Sequence, residues 1–216
     1  MEILNDFLDM IYPRVCPGCG RKSDSTANWC DPCQRKFWNP RLLNSSVTHS
    51  LHGCYTLCNY DEGIRKCIIQ LKYNGKSELK RVFPELLEKF PWWDRLEKYT
   101  LVIPIPLSRS HSKERGYNQT DIIFEEWAGK SGKIYYPQGL VRIRNTETQS
   151  LLSKEERYMN MRGVFHINRG IDVRGKYILL VDDVYTTGAT MESAAGELKR
   201  AGAEDVIGIT LASGAI

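Results

Sequence analysis

The sequence predicts an α/β fold: a mostly parallel sheet covered by helices on both faces, with a small cysteine-rich module ahead of it. Three observations lead there. Runs such as LVIPIP and KYILLV are short and apolar almost throughout, the texture of strands buried on both sides. They alternate with segments whose apolar residues recur at helical spacing, as Ile64, Cys67, Ile68 and Leu71 do in EGIRKCIIQLKY. Ahead of both lies CPGCGRKSDSTANWCDPC, which has four cysteines and almost no aliphatic residue with which to build a core.

In chain order, Ile3, Leu4, Phe7, Leu8 and Ile11 predict a short amphipathic helix that Pro13 ends. The cysteine module follows. GCYTLCNYD reads as a strand or hairpin arm, EGIRKCIIQLKY as a helix, and SELKRVFPELLEKF as a second helix interrupted or started at Pro84. LVIPIP is a strand, PLSRSHSKERGYNQ a polar loop, and TDIIFEEWAGK a helix. Two strands around GLVRIR and GVFHI flank the polar stretch NTETQSLLSKEERYMNMR. KYILLV is the next buried strand. MESAAGELKRAGA is a helix with Lys199, Arg200 and Gly202 as C-terminal signals, and DVIGITLAS is the last strand. The expected division is 1–40 for the lead-in helix and cysteine module, and 50–216 for the α/β domain.

At 216 residues the chain is long enough for one main core and an appendage. A formal charge of +4 is too mild to name a partner. No apolar run is long enough to cross a bilayer, and MEILNDFLDMIYP carries acids where a signal peptide carries bases, so a cytoplasmic protein without membrane insertion is expected. In a reducing compartment seven cysteines point to metal ligands and buried thiols rather than disulfides.

Cys16, Cys19, Cys30 and Cys33 form two CxxC pairs, and Gly18, Gly20 and Pro32 supply tight turns. Four thiolates favour tetrahedral zinc in a closed, structural site that folds a segment lacking a core of its own. An iron–sulfur cluster and a redox dithiol are the competing chemistries. Cys54, Cys58 and Cys67 sit among apolar residues and read as core thiols.

The stretch ILLVDDVYTTGAT, residues 178 to 190, holds the second constellation. Asp182 and Asp183 follow an apolar strand, at the carboxyl edge where open α/β sheets bind ligands. Two carboxylates there suit the paired hydroxyls of a ribose, provided that the chain is already leaving the strand. Thr186, Thr187, Gly188, Ala189 and Thr190 then bring small residues, hydroxyls and free backbone N–H groups to a helix start, a cradle for the sugar's phosphate. Helix capping alone would need one acid and no glycine–threonine run.

VDDVYTTGAT resembles the phosphoribosyl pyrophosphate signature of type I phosphoribosyltransferases. Together with CPGC and CDPC, LKYNGK, IPIPLSRSHSKERGYNQ and RIRNTETQSLLSKEER, it makes nearly the whole chain similar to the ComF family of competence proteins. The resemblance implies a type I phosphoribosyltransferase-like sheet behind a zinc module. It implies phosphoribosyl pyrophosphate and magnesium as ligands, and a role in DNA uptake. It places the pyrophosphate loop at Leu107, Ser108, Arg109 and Ser110, with Lys113 and Arg115 beside it. Arg142, Arg144, Thr148, Gln149 and Arg157 fall in the mobile flap, with Arg144 reaching toward pyrophosphate. Thr186 stands where purine-salvage members carry an acid, so the acceptor stays open. A non-catalytic alternative is a single-stranded DNA-binding or nucleotide-sensing module that works with a competence helicase; for it Trp92, Trp93 and Tyr73 with Lys72, Lys76, Lys80 and Arg81 would form a stacking, basic surface.

Overall fold

The computed structural model describes residues 15–22, 28–43, 50–74, 77–144 and 154–215. The lead-in helix expected over residues 1 to 12 lies outside them.

Helix α1 (Asp31–Phe37) leads directly into β1 (Trp38–Leu43). Then come β2 (Cys54–Asn59), α2 (Glu62–Asn74), a 3-10 turn at Ser77–Arg81, and α3 (Val82–Glu88). Strand β3 (Leu101–Pro104) is followed by α4 (Arg109–Arg115), α5 (Gln119–Lys130) and the short β4 (Ile134–Tyr135). A separate antiparallel pair, β5 (Leu140–Arg142) and β6 (Phe165–Ile167), brackets α6 (Lys154–Met161). The chain finishes with β7 (Tyr177–Tyr185), α7 (Ala189–Arg200) and β8 (Asp205–Ser213).

The main sheet has the order β1-β2-β8-β7-β3-β4. Only β1 runs antiparallel to its neighbour; the other pairings are parallel. Chain connections diverge between β3 and β7, because β3 leads outward to β4 while β7 leads to β8 on its other side. That divergence makes the carboxyl edge there a switch point, open to ligands.

Alternation along β7 divides the core. Leu179 and Val181 face α2, α3 and α5, among Ile64, Ile68, Leu86, Ile123 and Phe124. Ile178 and Leu180 face α7, among Ala194, Leu198, Val164 and Phe165. Such strands, buried on both sides, are why the sequence reads as continuous apolar runs. The first cluster also contains Cys16, Trp29 and Phe37, so the cysteine-rich segment packs on the main core rather than standing clear of it. Trp29 donates its indole N–H to the Val82 carbonyl at 3.1 Å, and Asn28 binds Glu85 through its backbone and side chain. At the other end of that segment, Arg41 on β1 donates to the carbonyls of Ser213 and Ala215, tying the outer strand to the end of β8.

Two segments expected as loops are helical. Residues 109–115 form α4, started by the Ser108 hydroxyl, which accepts from the His111 N–H, and ended by Gly116 in the left-handed region at φ 73°. Residues 154–161 form α6. α4 has no buried residue, so no apolar stripe announces it.

Candidate functional site

The four Sγ atoms of Cys16, Cys19, Cys30 and Cys33 lie within 4.8 Å of one another, and those of Cys19 and Cys30 are 3.7 Å apart. Tetrahedral zinc with thiolates at about 2.3 Å requires sulfur pairs roughly 3.8 Å apart, so the donor set fits that ion. The backbone N–H of Arg21 holds the Cys19 thiol down at about 7, which favours the thiolate form that a metal needs. Cys54, Cys58 and Cys67 are buried, and burial pushes all three thiols up, as expected of core cysteines.

At the carboxyl edge of β7 the strand does not end before the acids. It runs through them to Tyr185, with Asp182 opposite Thr210 and Tyr185 opposite Ser213. The two carboxylates therefore keep strand alternation. Asp183 faces α2 and α5, is buried, and receives the Lys72 ammonium on Oδ2 at 2.5 Å and the Gln119 amide on the same oxygen at 3.4 Å. Asp182 faces the other side, where the Arg142 guanidinium feels its charge, and its Oδ1 accepts from the Asp183 N–H at 2.8 Å. Burial, and then the neighbouring Asp183 charge, push Asp182 well above the ordinary carboxylate range. Burial alone would lower Lys72; attraction to Asp183 more than offsets it, and the ammonium is held more firmly than usual.

The turn after β7 is built around Gly188, at φ 83°, which precedes the first residue of α7. A Cβ there would collide with the Tyr185 hydroxyl, so only glycine fits. Gly188 offers α7 no capping side chain, so the N–H groups that follow Ala189 in the first turn are left for another acceptor. Thr186 is exposed, Thr187 and Thr190 half-buried, and Gly188 and Ala189 buried. The Ala189 N–H leans on Thr187 Oγ1 at 3.5 Å, and the Tyr158 phenol of α6 donates to the Thr187 carbonyl at 3.0 Å.

The loop after β3 lies beside this edge, because the Ile105 N–H bonds the Val181 carbonyl at 2.9 Å. Leu107 is half-buried, and Ser108 is buried and spent on capping α4. Arg109 and Lys113 point outward from α4. Arg115 turns inward: it binds Gln119 Oε1 at 3.1 Å, and its guanidinium lies 5.2 Å from the Tyr73 ring centre. A relay thus links Arg115 to Asp183 through Gln119. Arg144 is placed elsewhere, donating to the carbonyls of Asn160 and Arg162 and so fastening β5 to the end of α6. Thr148 and Gln149 lie outside the described residues.

Two participants escaped the sequence reading. Gln119 is one. The other is Lys72, which the sequence grouped with a basic surface, although it falls at i+4 from Ile68 and i+8 from Ile64, on the buried stripe of α2. A lysine on such a stripe needs a carboxylate partner, and that was the available signal. The tryptophans differ from the stacking surface considered for them. Trp93 stacks on Trp127 at 4.3 Å, and Trp92 packs against Phe90 and Tyr55. Tyr73 remains 61% exposed.

Comparison with known proteins assigns a class to this arrangement. Residues 133–215 match the phosphoribosyl transferase domain, and residues 7–42 the double zinc ribbon domain. The chain is 31% identical over 188 residues to the competence protein ComFC of Bacillus subtilis (strain 168), covering 87% of this chain and 72% of that protein. It is likewise 31% identical over 204 residues to ComFC of Streptococcus pneumoniae (strain ATCC BAA-255 / R6), covering 92% and 82%. The DNA utilization protein YhgH of Salmonella typhimurium (strain LT2) is 30% identical over 197 residues, covering 89% and 81%. The chain belongs to the ComF family, with a phosphoribosyltransferase-type domain and an N-terminal four-cysteine zinc site. No helix among the described residues is long and apolar enough to cross a membrane.

Proposed function

We propose that the carboxyl edge of β7 binds phosphoribosyl pyrophosphate with magnesium, and that the protein serves DNA uptake as a phosphoribosyltransferase-like component. The observation that carries this reading is the join of β7 to α7: two acids near the carboxyl end of a parallel strand at the switch point, then a glycine turn opening onto first-turn helix amides. Asp183 would accept from the ribose hydroxyls, residues 186–190 would hold the 5′ phosphate, and Ser108 to Arg115 would lie along the pyrophosphate. When bound with the pyrophosphate, magnesium would supply charge neutralisation to the leaving group. The protein's own share is orientation and electrostatics, with Arg115 and the loop after β3 meeting charge as it develops. Relatives named for competence and DNA utilization support the cellular role. The alternative of a single-stranded DNA platform has less support, because two of its three proposed stacking rings are partly buried and packed against the core.

The test is thermal unfolding with phosphoribosyl pyrophosphate and magnesium. At a hundredfold excess over Kd, binding to the folded state adds about 2.7 kcal/mol of stability and raises Tm. Asp183→Asn is expected to remove that gain while the protein still folds; an unchanged gain in the variant would refute the ribose assignment. Pyrophosphate release in the presence of candidate acceptors separates catalysis from binding.

A further inference from the structure

Lys72 reaches Asp183 from the last turn of α2, an element outside both the signature stretch and the loop after β3. The contact occupies Oδ2, the oxygen that Gln119 also binds. A hydroxyl pair arriving at Asp183 must therefore compete with a half-buried ammonium. Displacing a half-buried cation from a buried carboxylate without giving it a new anion leaves an unpaired charge in a partly desolvated corner, and that is unfavourable. A ligand whose anionic groups lie beside its hydroxyls removes the difficulty, since the ammonium passes from carboxylate to phosphoryl oxygen. The same corner holds a second cation with spare capacity. Arg115 lies over Tyr73, and its Nε is buried without a hydrogen-bond partner among the described residues.

We propose that Lys72 is a specificity-determining residue that couples hydroxyl binding at Asp183 to anion binding beside it, so that the site admits phosphorylated ribose and rejects neutral ribosides. The proposal rests on the ribose reading above and adds what that reading lacks, a reason for a neutral sugar to be refused. Selection arises from a repulsive element, the stranded ammonium, as much as from attraction.

Calorimetric titration of the full chain with phosphoribosyl pyrophosphate, ribose and inorganic pyrophosphate tests it, with magnesium present throughout. Wild type is expected to prefer phosphoribosyl pyrophosphate to ribose by about a hundredfold, and Lys72→Met to reduce that ratio at least tenfold, since one charge-assisted contact of this type is worth roughly tenfold or more. Lys72→Arg should restore most of the preference, which a purely structural role would not predict. Asp183→Asn gives a second, independent reading: with its partner neutral, Lys72 is released to anions, so inorganic pyrophosphate should bind about tenfold more tightly than to wild type even as phosphoribosyl pyrophosphate weakens. The double variant Lys72→Met with Asp183→Asn should lose that gain. If Lys72→Met keeps the wild-type ratio, or Asp183→Asn leaves pyrophosphate binding unchanged, the coupling role is overturned while the site itself stands. If no form binds phosphoribosyl pyrophosphate, the site and the coupling fall together.

Discussion

Gly188 carries a double constraint: a left-handed backbone, and the Tyr185 ring where a side chain would begin. Gly188→Ala is expected to destabilise the fold by about 1–2 kcal/mol from backbone strain alone. It should also weaken phosphate binding by disturbing the amides at the start of α7. Tyr185→Phe, which removes the atom nearest the clash, should recover part of the stability; denaturant midpoints of the three proteins decide it. At this scale much of the candidate site was legible in the sequence. Asp182, Asp183 and the glycine turn announce themselves because apolar strand, acids and small residues are contiguous. Lys72 and Gln119 did not, because each owes its place to another element's packing. The expected side-by-side reach of the two acids met strand geometry instead: β7 holds its pleat through Tyr185, so each carboxylate looks into a different layer.

Among the elements, α5 shows how an otherwise ordinary helix carries a pH response. Asp121 in its first turn is pushed up to about 6, by burial first and then by Glu125, although the Tyr135 phenol donates to it at 2.8 Å. The folded chain then holds a proton that the unfolded chain releases, so between about pH 4 and pH 6 stability falls as pH rises. Asp121→Asn keeps an acceptor for Tyr135 and should flatten that slope, as Tm measured across the window will show; an unchanged slope would assign it to other groups. The elements differ in how plainly they can be read. Helices α2 and α7 follow from their apolar stripes, and β3, β7 and β8 from continuous burial. Helix α4 is defined by its caps, Ser108 and Gly116, with no stripe at all, and α6 is strongly polar. Hydrophobic periodicity detects burial, and it is silent where a helix is held by its ends.

Taken as a whole, the molecule has one core that reaches into its cysteine-rich beginning. Cys16, Trp29 and Phe37 are buried with Ile64, Cys67 and Val82, and α2, which presents Lys72 to Asp183, lies against that segment. Metal-ligand energy in a segment without a core of its own is folding energy, and here it extends to the helix beneath. Removing zinc with a chelator is therefore expected to lower Tm in one transition, with Trp29 fluorescence and far-ultraviolet dichroism changing together. A separate early change in Trp29, with the sheet unaffected, would show the zinc segment to be energetically independent.

The sheet's strand order has a consequence for biosynthesis. The last strand in the chain, β8, occupies the middle of the sheet between β2 and β7. A nascent polypeptide therefore carries two facing rows of unsatisfied amides and carbonyls until residues 205–213 leave the ribosome, and a ribosome that stalls before them releases two half-sheets with open edges, the substrates on which chaperones and proteases act.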